Sequence, residues 1–294
     1  TTVPVVPIGV DVDVQRVAVV DGTIWAWGTS TEDDPGPNGH LLRVSPDGSS
    51  WTEVEGVDTS TLTAMAFANA DDGWVVTALG LVSTHDAGDT WQQVDLPTEV
   101  LAISVADDTA YAVVFQENDG SGQPGFEVLA SPVDRDEFEP TGLVIQPGAA
   151  PVADFSFAHA GDTTWLTYDS RTLMSAHRRD DTGWSPWDVF CDVGPATVWS
   201  NGNPGEVLVD CDAGEWGEGV VTELRWSTDG GDTFTDVPLT PDPDSYRWFD
   251  VRGVAADGTI VATVNGDKAP AVLLTRDLGA TWVDPGWPFV PDTL

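Results

Sequence analysis

Apolar residues alternate with polar ones in short stretches of this chain. Met65 and Phe67, Ile103 and Val105, and Phe155 and Phe157 each lie two positions apart. A period of two marks a β-strand with one face in a core. No stretch at helical spacing competes with it. Turn signals punctuate the strands at Asp21-Gly22, Asp71-Asp72-Gly73, Asp107-Asp108, Gly161-Asp162 and Asp257-Gly258. Glycine accepts left-handed backbone without steric cost, and Asp tolerates it while its carboxylate bonds the turn. Soon after four of these turns comes a large aromatic residue: Trp25, Trp74, Tyr111 and Trp165. The pattern predicts short antiparallel strands in which the second strand of each group carries a bulky core residue.

One longer pattern returns along the chain. Thr84-His85-Asp86-Ala87-Gly88-Asp89-Thr90-Trp91 is its cleanest copy, and 227–234 and 275–282 match it. Ser45-Pro46-Asp47-Gly48-Ser49-Ser50-Trp51 is one residue short, and 131–138 and 177–184 are degenerate copies. The closing aromatics Trp51, Trp91, Phe138, Trp184, Phe234 and Trp282 are spaced by 40, 47, 46, 50 and 48 residues. That period is the length of four short strands with turns. The carboxylates of Asp47, Asp86, Asp229 and Asp277 are placed to accept turn N–H groups and the Ser/Thr hydroxyl.

The pattern S/T-x-D-x-G-x-T-W/F resembles the Asp-box, or BNR repeat, of the sialidase-like β-propellers. The resemblance covers nearly the whole chain. It implies an all-β, six-bladed β-propeller of four-stranded antiparallel blades, each box forming the hairpin between third and fourth strands. It also implies that the boxes are structural and lie away from the ligand face. On this reading residues 1–294 form a single domain with blades at about 12–56, 61–96, 99–142, 151–190, 194–239 and 247–286. The Pro-rich ends either close the ring or add strands.

Charge narrows the partners. The chain of 294 residues has 49 Asp+Glu against 11 Lys+Arg, a formal net charge of −38. Such a surface repels phosphate backbones and anionic lipid, so nucleic acid is not an expected partner. The acids run along the whole chain, as in a halophilic-type surface, and self-repulsion is expected to weaken the compact state at low salt. No apolar run is long enough for a membrane helix, and no signal peptide is visible at Thr1. Cys191 falls just before the first strand of the fifth blade and Cys211 just after its second. Antiparallel neighbours bring those positions together, so a disulfide and an oxidising compartment are expected. A secreted or extracytoplasmic bacterial or archaeal monomer fits these features.

Candidate sites follow from the blade layout. The connections at 30–39, 117–125 and 211–220 exceed what a hairpin needs, which points to function. Their acids Glu32, Asp33, Asp34, Glu117, Asp119, Asp212, Glu215 and Glu218 could hold calcium through oxygen ligands, although no EF-hand spacing appears and no other cofactor is indicated. Trp216 could stack on a sugar. Aligning first strands on their turns gives one column, Arg16, Ala64, Ala102, Asp154, Thr197 and Arg252. Arg16 and Arg252 would then form a carboxylate clamp opposite Asp154, with Tyr246 and Arg247 near its mouth; alternatively the arginines pair with Asp13 and Asp250. The sialidase pattern of an arginine triad, a Tyr/Glu nucleophile pair and an Asp acid is matched only by Arg16, Arg252 and Tyr246, and the R-I-P segment is absent. The residues therefore point to a propeller that binds a protein or glycan ligand on its loop face without catalysis. The alternative is a glycan-active hydrolase or lyase.

Overall fold

The computed structural model describes residues 12–21, 23–30, 39–44, 51–116, 125–146, 154–170, 173–189, 191, 195–211, 223–239, 246–255, 257–266 and 271–283. The chain divides into two compact units, Thr1–Gln146 and Pro147–Leu294. Each holds three antiparallel sheets made of strands consecutive in sequence. In the first unit these are β1 (Val12–Val20), β2 (Thr23–Ser30), β3 (Gly39–Val44) and β4 (Trp51–Glu53); β5 (Ala64–Phe67), β6 (Asp72–Thr77), β7 (Gly80–His85) and β8 (Gln92–Gln93); and β9 (Val100–Ala106), β10 (Thr109–Gln116), β11 (Gly125–Pro132) and β12 (Glu139–Ile145). In the second they are β13 (Asp154–Ala160), β14 (Thr163–Ser170), β15 (Leu173–Asp180) and β16 (Gly183–Pro186); β17 (Pro195–Trp199), β18 (Val207–Cys211), β19 (Glu223–Ser227) and β20 (Thr235–Val237); and β21 (Tyr246–Val254), β22 (Ile260–Gly266) and β23 (Ala271–Thr275). The fold class is an all-β, six-bladed propeller. The sixth blade departs from four strands: beyond β23 the described chain makes a single bridge, Leu274 to Val283.

The second strand of a sheet is covered on both faces, and period two decides which core each residue enters. Trp74 and Val76 of β6 pack with Val100, Ile103 and Ala112 of the third sheet. Val75 between them packs with Trp25, Leu41 and Val54 of the first. In β18, Val207 and Val209 join Trp165 and Trp187 of the fourth sheet, whereas Leu208 joins Val251 and Ile260 of the sixth. A register slip of one residue would exchange the two cores, so register is strongly specified. Trp25, Trp74 and Trp165 are wholly buried, and Trp25 stacks on Phe67 at 4.0 Å. Full burial of one such ring is worth about 3 kcal/mol or more.

Four first strands contain irregularities. Pairing skips one residue between Val14 and Arg16 in β1, between Pro195 and Thr197 in β17, and twice in β21; the partner of Val114 jumps likewise in β9. Such bulges bend a strand and re-aim its side chains. Antiparallel pairing places the first-to-second turn and the box hairpin at one end of each sheet. The second-to-third connection lies at the other end.

Candidate functional site

At the box end the carboxylates are fully engaged. Thr90 donates to Asp86 through its N–H at 2.8 Å and its hydroxyl at 2.6 Å, and Thr84 Oγ1 donates at 3.0 Å. Thr233 and Ser227 repeat this on Asp229, and Thr281 and Thr275 on Asp277. The first hydroxyl in turn accepts the N–H of the fifth-position glycine, as Thr84 Oγ1 does from Gly88 at 2.8 Å. Two successive left-handed residues make the turn, Ala87 with Gly88 and Leu278 with Gly279. Donors aimed at a carboxylate favour its ionised form. The Thr233 hydroxyl, then its N–H, then Ser227 hold Asp229 down to about 2. Asp86 and Asp277 are lowered in the same way, led by the hydroxyls of Thr90 and Thr281. Asp47 lies outside the described residues.

The degenerate copies behave differently. In 131–138 there is no third-position Asp, and Ser131 organises the turn alone: its hydroxyl donates to Arg135 O at 2.7 Å and accepts Glu137 N–H at 2.9 Å. The copy at 177–184 is not a box. Asp180 pairs directly with Gly183 across a two-residue turn, and Asp180 Oδ1 accepts the Thr182 N–H and hydroxyl. His177 and Arg179 stand where the hydroxyl and the carboxylate would be needed.

The sixth box position reaches the preceding sheet. Arg178 donates to Asp232 at 2.7 Å and to Gly230 O at 2.9 Å. Arg43 donates to Ala87 O and lies 3.7 Å from Asp89. Arg43 pairs across the strands with Trp25, and Arg178 with Trp165. In the second sheet Ser83 holds that place opposite Trp74. There Asp136, at the sixth position of 131–138, accepts Ser83 Oγ at 2.6 Å and Trp74 Nε1 at 2.9 Å. His85 completes the group. Its Nδ1 is 2.7 Å from Asp72 Oδ1 and its Nε2 is 3.3 Å from Asp136 Oδ2. Asp72 also takes the Asn69 amide at 2.7 Å. Partial burial pulls the His85 pKa down, but the hydrogen bonds and charges of Asp72 and Asp136 outweigh it, and the net shift is upward. Sequence reasoning missed this cluster, because His85 reads as a variable box position and Asp136 sits in a copy lacking the defining Asp.

At the loop end, the second-to-third connections run 31–38, 117–124 and 212–222 in the first, third and fifth sheets. Those of the second, fourth and sixth run only 78–79, 171–172 and 267–270. The long connections, with Trp216 and their acids, lie outside the described residues. Their strand roots are described, and the root at 211 is tied covalently: Cys191 and Cys211 form a disulfide with Cα atoms 5.5 Å apart. Cys211 is the last residue of β18, inside the strand and paired with Pro195.

The predicted arginine column does not keep its alignment. Arg16 pairs with Trp27, two residues beyond Trp25. The same count in the fourth sheet gives Ser156, paired with Thr167, and Asp154 lies two residues further out. Arg252 is the skipped residue between Val251 and Gly253. The bulge at Arg252 cannot be read from a turn, whereas β13 pairs evenly with β14 and Asp154 simply lies two residues further from its turn than Ser156. Arg16 and Arg252 are both exposed, the former in the first unit and the latter in the second. Tyr246 and Arg247 open β21. Ser156, missed from sequence, exchanges hydrogen bonds of 3.2 Å with the Val198 N–H and C=O and so ties β13 to β17. Among the described residues no three metal-ligating side chains gather, and no helix is long and apolar enough to cross a membrane.

Neither a family model nor a curated protein matches the chain. Solved propellers do. YCF48 from Cyanidioschyzon merolae superposes with a TM-score of 0.61 at 13% identity, over 96% of this chain and 87% of that one. The GH74 enzyme of Niastella koreensis gives 0.60 at 14% identity, over 92% of this chain but 46% of its own. The β-propeller domain of the Trilobed protease from Pyrococcus furiosus gives 0.63 at 8%, over 92% and 83%. This chain thus spans less than half the length of the GH74 enzyme. At such identities the likeness is one of fold: a β-propeller structurally related to GH74 and YCF48 propellers.

Proposed function

We propose that this chain is an extracytoplasmic Asp-box propeller that binds a protein or glycan ligand, without catalysis, through the loop ends of its sheets. The observation that carries the reading is the asymmetry between the two ends of each sheet. At the box end, side chains are consumed by turns and by ties to the neighbouring sheet. At the loop end, three connections extend to 31–38, 117–124 and 212–222, where two residues suffice in the second and fourth sheets. Extended connections on a rigid sheet scaffold are where binding residues concentrate. The Cys191–Cys211 bridge beside the longest of them supports an oxidising compartment.

The test combines a glycan array, a peptide library and a panel of chromogenic glycosides, run on the intact protein and on variants with 31–38, 117–124 or 212–222 shortened to tight turns. Binding that disappears with a shortened loop supports the proposal. Binding indifferent to all three loops overturns it, and turnover of a glycoside would establish instead the glycan-active hydrolase or lyase of the sialidase-like superfamily.

A further inference from the structure

We propose that His85 is a proton-dependent clasp that joins the second sheet to the box hairpin of the third. The argument rests on proton counting. Both ring nitrogens lie against carboxylate oxygens, Nδ1 at 2.7 Å from Asp72 and Nε2 at 3.3 Å from Asp136. A neutral imidazole has one N–H and one lone pair. In the neutral form one of these contacts would set a lone pair against a carboxylate oxygen. Only the imidazolium donates to both.

The carboxylates are held as acceptors by other groups. Asp72 takes the Asn69 amide, and Asp136 takes Trp74 Nε1 and the hydroxyl of Ser83, which is wholly buried. The indole of Trp74 stands edge-on to the His85 ring at 6.0 Å. The other charges nearby favour the same state. Asp71 precedes Asp72, and Asp86 and Asp89 follow His85 on its own hairpin. On the opposing hairpin, the Arg135 cation is occupied by Asp134 at 3.2 Å and Glu137 at 3.5 Å. His85 is thus the cation of a group that bridges two sheets of one unit. Its side chain keeps 31% exposure, so protons can exchange with solvent.

The folded state binds this proton more tightly than the unfolded chain does. The clasp is therefore complete below the unfolded histidine value of ~6.5 and opens as pH rises through the higher folded value. On opening, Asp136 keeps Trp74 and Ser83, so the hairpin 131–138 loosens without detaching.

The experiment is an imidazole ¹⁵N titration of the intact protein in ~1 M NaCl, which screens the general negative background; His85→Gln assigns the signal. The His85 midpoint is expected above ~6.5 and should fall in both Asp136→Asn and Asp72→Asn. Amide exchange of residues 131–138, corrected for intrinsic rate, should quicken several-fold across the midpoint in the native protein and show no such step in His85→Gln. A midpoint at or below the free value, or one unmoved by Asp136→Asn, overturns the proposal. So does exchange without a pH step in the native protein, a readout that depends on no variant folding.

Discussion

His159 gives a sharp test of how burial controls this fold's response to acid. It lies in β13, its ring stacked 5.9 Å from Phe157 and its Nδ1 3.1 Å from Thr164 Oγ1. Desolvation there disfavours the imidazolium and lowers its pKa to about 4. The sign is opposite to that of His85. The unfolded chain takes up a proton near ~6.5 while the folded chain refuses it until near 4, so stability is present above ~6.5 and drains away as pH falls between those values. At pH ~5 the linkage is worth about 2 kcal/mol, a large part of the net stability of a domain. The box aspartates lie outside this window, since their turn donors hold them below the usual carboxylate range. His177, also lowered by burial, acts in the same direction. Urea unfolding of the native protein and of His159→Phe, compared at pH 8 and pH 5, reads the effect. The variant keeps the ring stack, loses the Thr164 bond at both pH values, and should lose about 2 kcal/mol less on acidification. Equal losses in the two proteins would show that His159 takes its proton without penalty, and the burial argument would fail.

Three further outcomes are expected. Opening the Cys191–Cys211 bridge, which closes a loop of sequence separation 20, should cost about 3 kcal/mol by loop entropy; a reduced protein that melts unchanged would contradict this. Gly231→Ala should destabilise far more than Gly142→Ala. Both residues are left-handed, but a Cβ at 231 would lie 2.5 Å from the Trp187 ring while one at 142 meets nothing, which separates strain of about 1–2 kcal/mol from added overpacking of about 1–3; equal losses in thermal melts would refute it. A double-mutant cycle of Arg178→Met and Asp232→Ala should return a coupling of about 0.2–1 kcal/mol, and none at all would mean that Arg178 acts only through Gly230 O.

The sequence displayed strands and boxes because both are set by local chemistry. Trp25, Trp74 and Trp165 announce second strands, since each large apolar ring follows closely on a turn and is wholly buried. Asp86, Asp229 and Asp277 announce hairpins, since hydroxyl, carboxylate and glycine act within eight residues. The copy at 177–184 kept the spacing but lacked those groups, and the chain took a two-residue turn instead. Features that depend on strand register were hidden. The bulge in β21 makes Arg252 the skipped residue and is invisible when residues are counted from a turn; the even pairing of β13 with β14 puts Ser156, not Asp154, in the place of Arg16. The His85 group was hidden more deeply: Asp72 faces His85 across β6 and β7, but Asp136 comes near only when the second sheet packs on the third.

The sixth box position explains how one repeated hairpin can serve junctions that differ. A box spends its first, third, fifth and seventh residues on its own turn, which leaves the fourth carbonyl and the sixth side chain to meet the preceding sheet. The residue offered by that sheet stands opposite the second-strand anchor. Across the described junctions the two vary together: Arg43 with Asp89, Ser83 with Asp136, Arg178 with Asp232. At the junction into the sixth sheet the sixth position is Ala280, and the residue opposite Leu208 is Trp226, buried in the apolar core. Placing Arg43 or Arg178 against Ala280 would lose a charge-assisted bond, and placing Trp226 against Asp232 would replace the Arg178 cation by a neutral indole. Each junction therefore favours its own neighbour over the others. In a chain of similar sheets whose order is set by the connections between them, such side-chain pairs add specificity at each junction.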